Sequence, residues 1–260
     1  MMIKKTILYF LHKLGYDLVK LNAKKTIYSK ELSFYNTTTG KYYLPKHAHS
    51  DAVVQSIIAN QVFDEPIVKL ASRYIKKGST VLDVGSNFGQ MAIIFSDKVG
   101  ENGKVYAFDA DDFVFSVLQK NIEANSKKNV IANFGAVHNL DNETLYFPIQ
   151  DFERFSAFGS YGIDYKTNKG RAVKTLTIDS LEIDTPISFM KIDVQGGDLF
   201  ALKGAKKTIM KHKMPIVFEY EYLFEDELGF NFQQYVDFVN EINYKFEKVI
   251  NGHNFLIIPK

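Results

Sequence analysis

The 260-residue chain has no cysteine. Disulfides, cysteine nucleophiles and zinc sites built on thiolates are thereby excluded. The lack fits a cytoplasmic protein, which is the expected location. Long apolar runs are missing too: none approaches the roughly 20 residues that span a bilayer. The N-terminus has neither the uninterrupted apolar core nor the small-residue cleavage site of a secretory signal. Neither sign of charge dominates, with 32 Lys and Arg against 30 Asp and Glu for a net +2. Nothing global therefore calls for nucleic acid, and no nucleic-acid partner is expected. What remains, 46% hydrophobic and 24% charged residues, can build one large α/β domain with additions.

One stretch organises the rest: Thr80-Val-Leu-Asp-Val-Gly-Ser-Asn-Phe-Gly-Gln90. Val81, Leu82 and Val84 form the apolar run of a buried parallel strand. Gly85 and Gly89 turn the chain, and a helical apolar pattern follows from Phe88 to Val99. Strand, glycine turn and helix open a nucleotide-binding α/β unit. Glycine lets backbone approach a ligand, and the helix start offers free N–H groups to an anion. A dinucleotide fingerprint needs glycine at the first, third and sixth positions of the turn. Those positions hold Gly85, Asn87 and Gln90. Two of the three glycines are lacking, so a nicotinamide or flavin cofactor is poorly supported.

Around this unit the chain reads as follows. Residues 2–20 repeat Ile3, Ile7, Leu11 and Leu14 at helical spacing among lysines. This basic amphipathic helix is expected to pack on its own domain or on a second copy in a homo-oligomer, with membrane-surface contact as the alternative. Residues 26–45 suggest a β-hairpin turning near Gly40. Ser50 or Asp51 caps a helix to about Ala59, and Asp64-Glu-Pro66 starts another. Residues 1–60 are read as an extension and 61–260 as the main domain. Strands are expected at 80–84, 104–108, 129–134, 187–194, 214–221, 244–250 and 254–259. Helices at 113–125, 199–211 and 231–241 fall between them. The pattern predicts a mostly parallel seven-stranded sheet with helices on both faces. β-Segments at 143–148 and 171–178 flank an insertion near 149–171, rich in Phe, Tyr, Gly and Ser and without periodicity. A loop of that length inside a compact domain is usually functional.

The pattern Asp83-x-Gly-x-Asn-x-Gly89 looks like the first motif of S-adenosylmethionine-dependent methyltransferases. Val105-Tyr-Ala-Phe-Asp109, Thr175-Leu-Thr-Ile-Asp179-Ser-Leu, Phe189-Met-Lys-Ile-Asp-Val-Gln-Gly196, Leu202-Lys-Gly-Ala205 and Pro215-Ile-Val-Phe-Glu219 follow in order. Over roughly residues 60–222 the chain resembles the FkbM family of O-methyltransferases. The resemblance implies a Rossmann-like class I methyltransferase fold, S-adenosylmethionine as cofactor, and transfer to a hydroxyl, often of a sugar or polyketide. There are two departures. The family commonly has glutamate where Asp109 stands, and Glu-Gly-x-Glu where Gln195-Gly196-Gly197-Asp198 stands. Gln195 cannot act as a carboxylate base or a charged metal ligand.

Roles follow for that cofactor. Asp83, Gly85, Ser86, Asn87 and Gly89 would form the turn beside the methionine end. Asp109, with Ala110 next to it, would accept bonds from the ribose diol, while Asn133 and Ala136 would lie over the adenine. Asp193, ending the fourth parallel strand, should approach the methyl group, because open α/β sheets bind ligands beyond their C-terminal strand ends. A sugar hydroxyl must lose its proton as the C–O bond forms, and a carboxylate can take it. Asp193 is the first candidate base and Glu219 the second; a helix cap and an ion pair are their structural alternatives. Asp193, Asp198 and Glu219 could instead hold Mg²⁺, though a site without metal is preferred. Phe158, Ser160, Tyr161 and Arg171 are the candidate acceptor contacts, since aromatic faces suit pyranose rings and Arg suits phosphate. The expected acceptor is a nucleotide-activated sugar or a surface-polysaccharide precursor; small-metabolite N- or C-methylation is the alternative.

Overall fold

The computed structural model describes residues 31–260 apart from 49, 150–156 and 161. The expected helix over residues 2–20 lies outside them, as does Tyr161. The first described elements are a hairpin, β1 (Leu32–Thr37) and β2 (Gly40–Pro45), and a short helix, α1 (Ala52–Ile58). Asp51 caps α1 by accepting from the Val54 N–H at 2.9 Å. Helix α2 (Glu65–Tyr74) leads to strand β3 (Thr80–Val84), whose five residues are all buried. The βα alternation then continues with α3 (Gln90–Val99), β4 (Lys104–Asp109), α4 (Asp112–Ala124) and β5 (Val130–Phe134).

Strands β6 (Ala136–Val137), β7 (Thr144–Phe147) and β8 (Arg171–Leu176) form a small separate sheet at the two ends of the insertion. Strand β9 (Ile187–Ile192) follows, then α5 (Asp198–Gly204), α6 (Lys206–His212), β10 (Ile216–Glu219), α7 (Glu225–Leu228), α8 (Phe232–Glu241), β11 (Tyr244–Ile250) and β12 (Asn254–Pro259). The single helix expected over 199–211 is thus two, broken at Ala205. Gly204 there lies so close to the His138 carbonyl oxygen that a Cβ would sit 1.9 Å from it.

The main sheet runs β11-β12-β10-β9-β3-β4-β5. Pairing is parallel from β10 through β5, and β12 is antiparallel to both its neighbours. This is the predicted seven-stranded, mostly parallel Rossmann-like sheet. The order reverses between β9 and β3, which opens a crevice at their C-terminal ends.

Side chains alternate across each strand, so two cores form. Leu82, Val84, Met190, Ile192, Ile216 and Phe218 face α5, α6 and α8. Val81, Phe189 and Val217 face the other way, toward Ala71 of α2 and Phe95 of α3. Burying a side chain of this size stabilises the fold by roughly 1.5–3 kcal/mol. Residues 31–60 add a third cluster in which Tyr42, Leu44 and Ile57 pack with Phe88, Val117 and Phe158. Asn121 of α4, fully buried, locks the hairpin in place. Its side chain accepts from the Tyr43 N–H at 2.6 Å and donates to the Phe88 carbonyl at 2.9 Å.

Candidate functional site

A cavity of about 390 Å³ opens at this crevice, lined by the ends of β3, β4, β9 and β10, by Ser50–Val53 and by the insertion. The parallel register determines which residues meet there. Val84 and Phe218 both pair with Ile192. Gly85, Asp193 and Glu219, each the next residue, therefore come together at one level. The fit of Gly85 is tight: at φ +79°, a Cβ on it would lie 1.8 Å from the Asp193 carbonyl oxygen. Only glycine lets the turn sit flush on the strand that carries Asp193.

Asn87 also takes a left-handed conformation, φ +50°. Its N–H donates to Asp109 Oδ2 at 2.9 Å, while the Asp111 N–H donates to Asp109 Oδ1 at 3.0 Å. Two backbone donors therefore fix the Asp109 carboxylate at the cavity wall with acceptor capacity to spare. Desolvation, with the Asp111 charge beside it, raises the Asp109 carboxyl to about 7. Asp111 itself caps α4, accepting from the Phe113 and Val114 N–H groups.

At the other end, the buried Asp83 has no hydrogen-bond donor on either carboxylate oxygen among the described residues. Desolvation raises its carboxyl. Its counter-charge is Lys191, which pairs with it in register across β3 and β9. Lys191 Nζ donates to the Gly85 carbonyl at 2.7 Å and lies 3.5 Å from Asp193 Oδ2 and 3.8 Å from Asp83 Oδ1. Burial acts to lower its ammonium, but Asp193 and Asp83 outweigh this and raise it.

Gln195 Nε2 bridges the two candidate bases, 3.0 Å from Asp193 Oδ1 and 3.3 Å from Glu219 Oε2. Desolvation, then Asp193 and Glu221, raise the Glu219 carboxyl far above the usual carboxylate range. A carboxyl raised in this way tends to hold its proton, which counts against Glu219 as the base. Asp193 is the other candidate of the pair, and it faces the cavity. Asp64 and Glu221 also line this end, each raised by burial and by Asp193.

The Mg²⁺ grouping of Asp193, Asp198 and Glu219 does not assemble. The Asp198 carboxylate accepts from the Val194 N–H at 3.3 Å and the Glu219 N–H at 3.1 Å. Among the described residues no group of three His, Asp or Glu is placed to hold a metal ion.

Asp83, Gly85, Ser86, Asn87, Asp109, Ala110, Ala136, Phe158, Ser160, Asp193 and Glu219 all line the cavity. Three of the expected residues do not line it. Gly89 is the cap of α3, and its bare Cα lets Leu118 close against it. Asn133 does not line the cavity, because its amide turns back to the Ile131 carbonyl at 3.0 Å. Arg171 lies outside the cavity, its guanidinium paired with Asp111 and Asp112.

Phe158 reaches the cavity only in part. Its ring packs on Phe88 and Phe113 at centroid distances of 5.7 and 5.5 Å. The insertion is anchored further by the Gly159 N–H, which donates to Asp51 at 3.2 Å, and by Gly162 against the Gln195 backbone. Lys191 escaped the sequence reading as a site residue. A single lysine among six buried strand positions was the available signal.

Comparison with known proteins gives the following. The pattern described as the methyltransferase FkbM domain matches residues 83–246. That of protein-L-isoaspartate(D-aspartate) O-methyltransferase matches residues 20–139. The ubiquinone/menaquinone biosynthesis C-methyltransferase of Salmonella arizonae is 32% identical over 102 residues, 39% of this chain. The match spans 38% of that relative's length. Among solved structures, methyltransferase FkbM from Methylobacillus flagellatus aligns with 82% of this chain and 62% of its own, at 13% identity and a TM-score of 0.45. A methyltransferase from Aquifex aeolicus aligns with 75% of this chain and 88% of its own, at 18% identity and a TM-score of 0.41.

Proposed function

The chain belongs to the FkbM methyltransferase family and uses S-adenosylmethionine, and from that premise we propose that it methylates a hydroxyl of a sugar, with Asp193 as the base. The acceptor would be a nucleotide-activated sugar or a surface-polysaccharide precursor. The observation that carries this reading is Asp193 itself. Its side chain is one-quarter exposed at the cavity, directly against the glycine turn and fixed by Gln195 and Lys191.

The residues present fit the cofactor. The fixed carboxylate of Asp109 suits a ribose diol, and the small residues Gly135 and Ala136 in the lining leave room for adenine. Asn87 and Gly85 keep the turn narrow enough for a methionine tail to lie along it. The bound cofactor supplies an electrophilic methyl group on a sulfonium.

The protein's part is alignment and proton removal. Holding the acceptor oxygen in line with the methyl carbon accounts for up to roughly 7–11 kcal/mol of the barrier in well-oriented systems. Asp193 Oδ2 and Oδ1 are each held by a donor on one side, so the carboxylate presents a fixed lone pair to an acceptor hydroxyl and takes its proton. Glu219 keeps its own proton, and through Gln195 holds Asp193 in place. Ser160, exposed at the rim, offers a hydroxyl to the sugar. Tyr161, next to it in sequence, is proposed to contribute its ring.

The test is methyl transfer from S-adenosylmethionine to a panel of nucleotide sugars, with the product's methyl position read by mass spectrometry and NMR. An O-methyl sugar is expected. A methyl group found only on nitrogen or carbon would overturn the reading.

A further inference from the structure

The main-sheet register places Lys191 beside Asp83, so the simplest role for its charge is to neutralise that buried carboxylate. The distances argue for more. The ammonium is 3.8 Å from Asp83 but 3.5 Å from Asp193, and it makes its one short bond, 2.7 Å, to the Gly85 carbonyl. It has moved past its register partner to the strand end. There it bonds one side of a joint whose other side is a direct van der Waals contact between Gly85 and the Asp193 backbone.

We infer that Lys191 is a positioning residue: its ammonium ties the cofactor's glycine turn to the Asp193 carboxylate and sets that carboxylate toward the sulfonium. The inference rests on the proposed role of Asp193.

The surroundings explain why a cation is needed. Lys191 is faced by Asp83 from β3, by Asp109 from β4, by Asp64 from the start of α2, and by Asp193 and Asp198 beyond its own strand. Asp193 also meets Glu219 and Glu221 beyond β10. In this company a cation held against the Asp193 carboxylate offsets the repulsion from its acidic neighbours. Lys191 is the only lysine or arginine that lines the cavity among the described residues.

The test uses two probes that need no acceptor. S-adenosylmethionine carries a sulfonium; S-adenosylhomocysteine carries a neutral thioether of nearly the same shape. Their affinity ratio, measured by calorimetry from pH 5.5 to 9, reports whether an ionised carboxylate faces the sulfur. Lys191→Met alone would strand Asp83 as a buried charge, so the comparison is made in an Asp83→Asn background, with folding checked by thermal melting. In D83N the preference for the sulfonium should persist to low pH. In D83N/K191M the pH at which it falls to half should lie one to three units higher, the range for losing an adjacent opposite charge. D83N/K191R, which keeps the charge, should behave like D83N.

Equal midpoints in D83N and D83N/K191M would overturn the inference and leave Lys191 as a counter-ion for Asp83. So would a shift in the arginine variant as large as in the methionine variant. Asp193→Asn, run in parallel, should abolish the pH-dependent preference. Retention of the full pH-dependent preference in D193N would instead remove Asp193 from the sulfonium, and the base assignment would fall whatever Lys191 does.

Discussion

Gly85→Ala is the sharpest perturbation of the joint between cofactor turn and base. The added Cβ would lie 1.8 Å from the Asp193 carbonyl oxygen and 2.9 Å from its carbonyl carbon. Contacts below 3.0 Å are essentially never seen for real Cβ atoms, so turn and strand must separate by about 1.2 Å, the difference between 3.0 and 1.8 Å. Both partners are backbone in a paired parallel sheet, and neither can rotate away. The left-handed φ of +79° adds about 1–2 kcal/mol for any residue with a Cβ. Overpacking of this kind adds about 1–3 kcal/mol more. A total of about 2–5 kcal/mol lowers the melting temperature by roughly 4–20 °C at this chain length. A 1 Å misplacement of reacting groups can cost on the order of 10²-fold in rate. Thermal melting and calorimetric titration with S-adenosylmethionine should therefore both respond, in the same variant. A G85A protein that melts and binds like the wild type would refute the packed joint on which the site description depends.

Asp109→Ala should weaken cofactor binding by about 1–3 kcal/mol, the range for losing charged hydrogen bonds; unchanged affinity by calorimetry would remove Asp109 from the ribose. In the wild type the same group gives a pH dependence. Its carboxyl, raised to about 7, keeps its proton below that pH. Cofactor affinity should be full above pH 7 and decline as pH falls through it, and a flat profile from pH 6 to 8 would contradict this. Phe158→Ala should cost about 3–5 kcal/mol in urea denaturation, because the ring packs on Phe88 and Phe113; an effect on acceptor use with no loss of stability would return Phe158 to the acceptor wall. Asn121→Ala should cost about 1–3 kcal/mol by stranding the Tyr43 N–H and the Phe88 carbonyl, and a wild-type denaturation midpoint would show that the hairpin is held elsewhere.

The main sheet was legible in the sequence because buried parallel strands read as continuous apolar runs, as in Val81–Val84 and Ile187–Ile192. The turn was legible for a similar reason: Gly85 and Asn87 are residues that tolerate positive φ, and both adopt it. What failed was pairing across long sequence separations. Arg171 looked like a free cation in an aromatic insertion, but its partner Asp111 lies 60 residues earlier. Phe158 looked like a binding-site ring, yet its neighbours belong to two distant helices and a turn. The upward shift of the Glu219 carboxyl also needed the structure, since the register of β9 and β10 is what sets it beside Asp193. The close approach of the His138 carbonyl to Gly204, beside the helix break, is likewise a contact that no local pattern announces.

The central claim is that Asp193 removes the acceptor proton from a site that binds the cofactor without it. The direct measurement is single-turnover methyl transfer by Asp193→Asn beside calorimetric S-adenosylmethionine affinity on the same preparation, with the nucleotide sugar that the wild type methylates. The account predicts a rate lower by roughly 10²–10⁴-fold, with cofactor affinity reduced by no more than the sulfonium preference that Asp193 supplies. A D193N protein that turns over at the wild-type rate would contradict it.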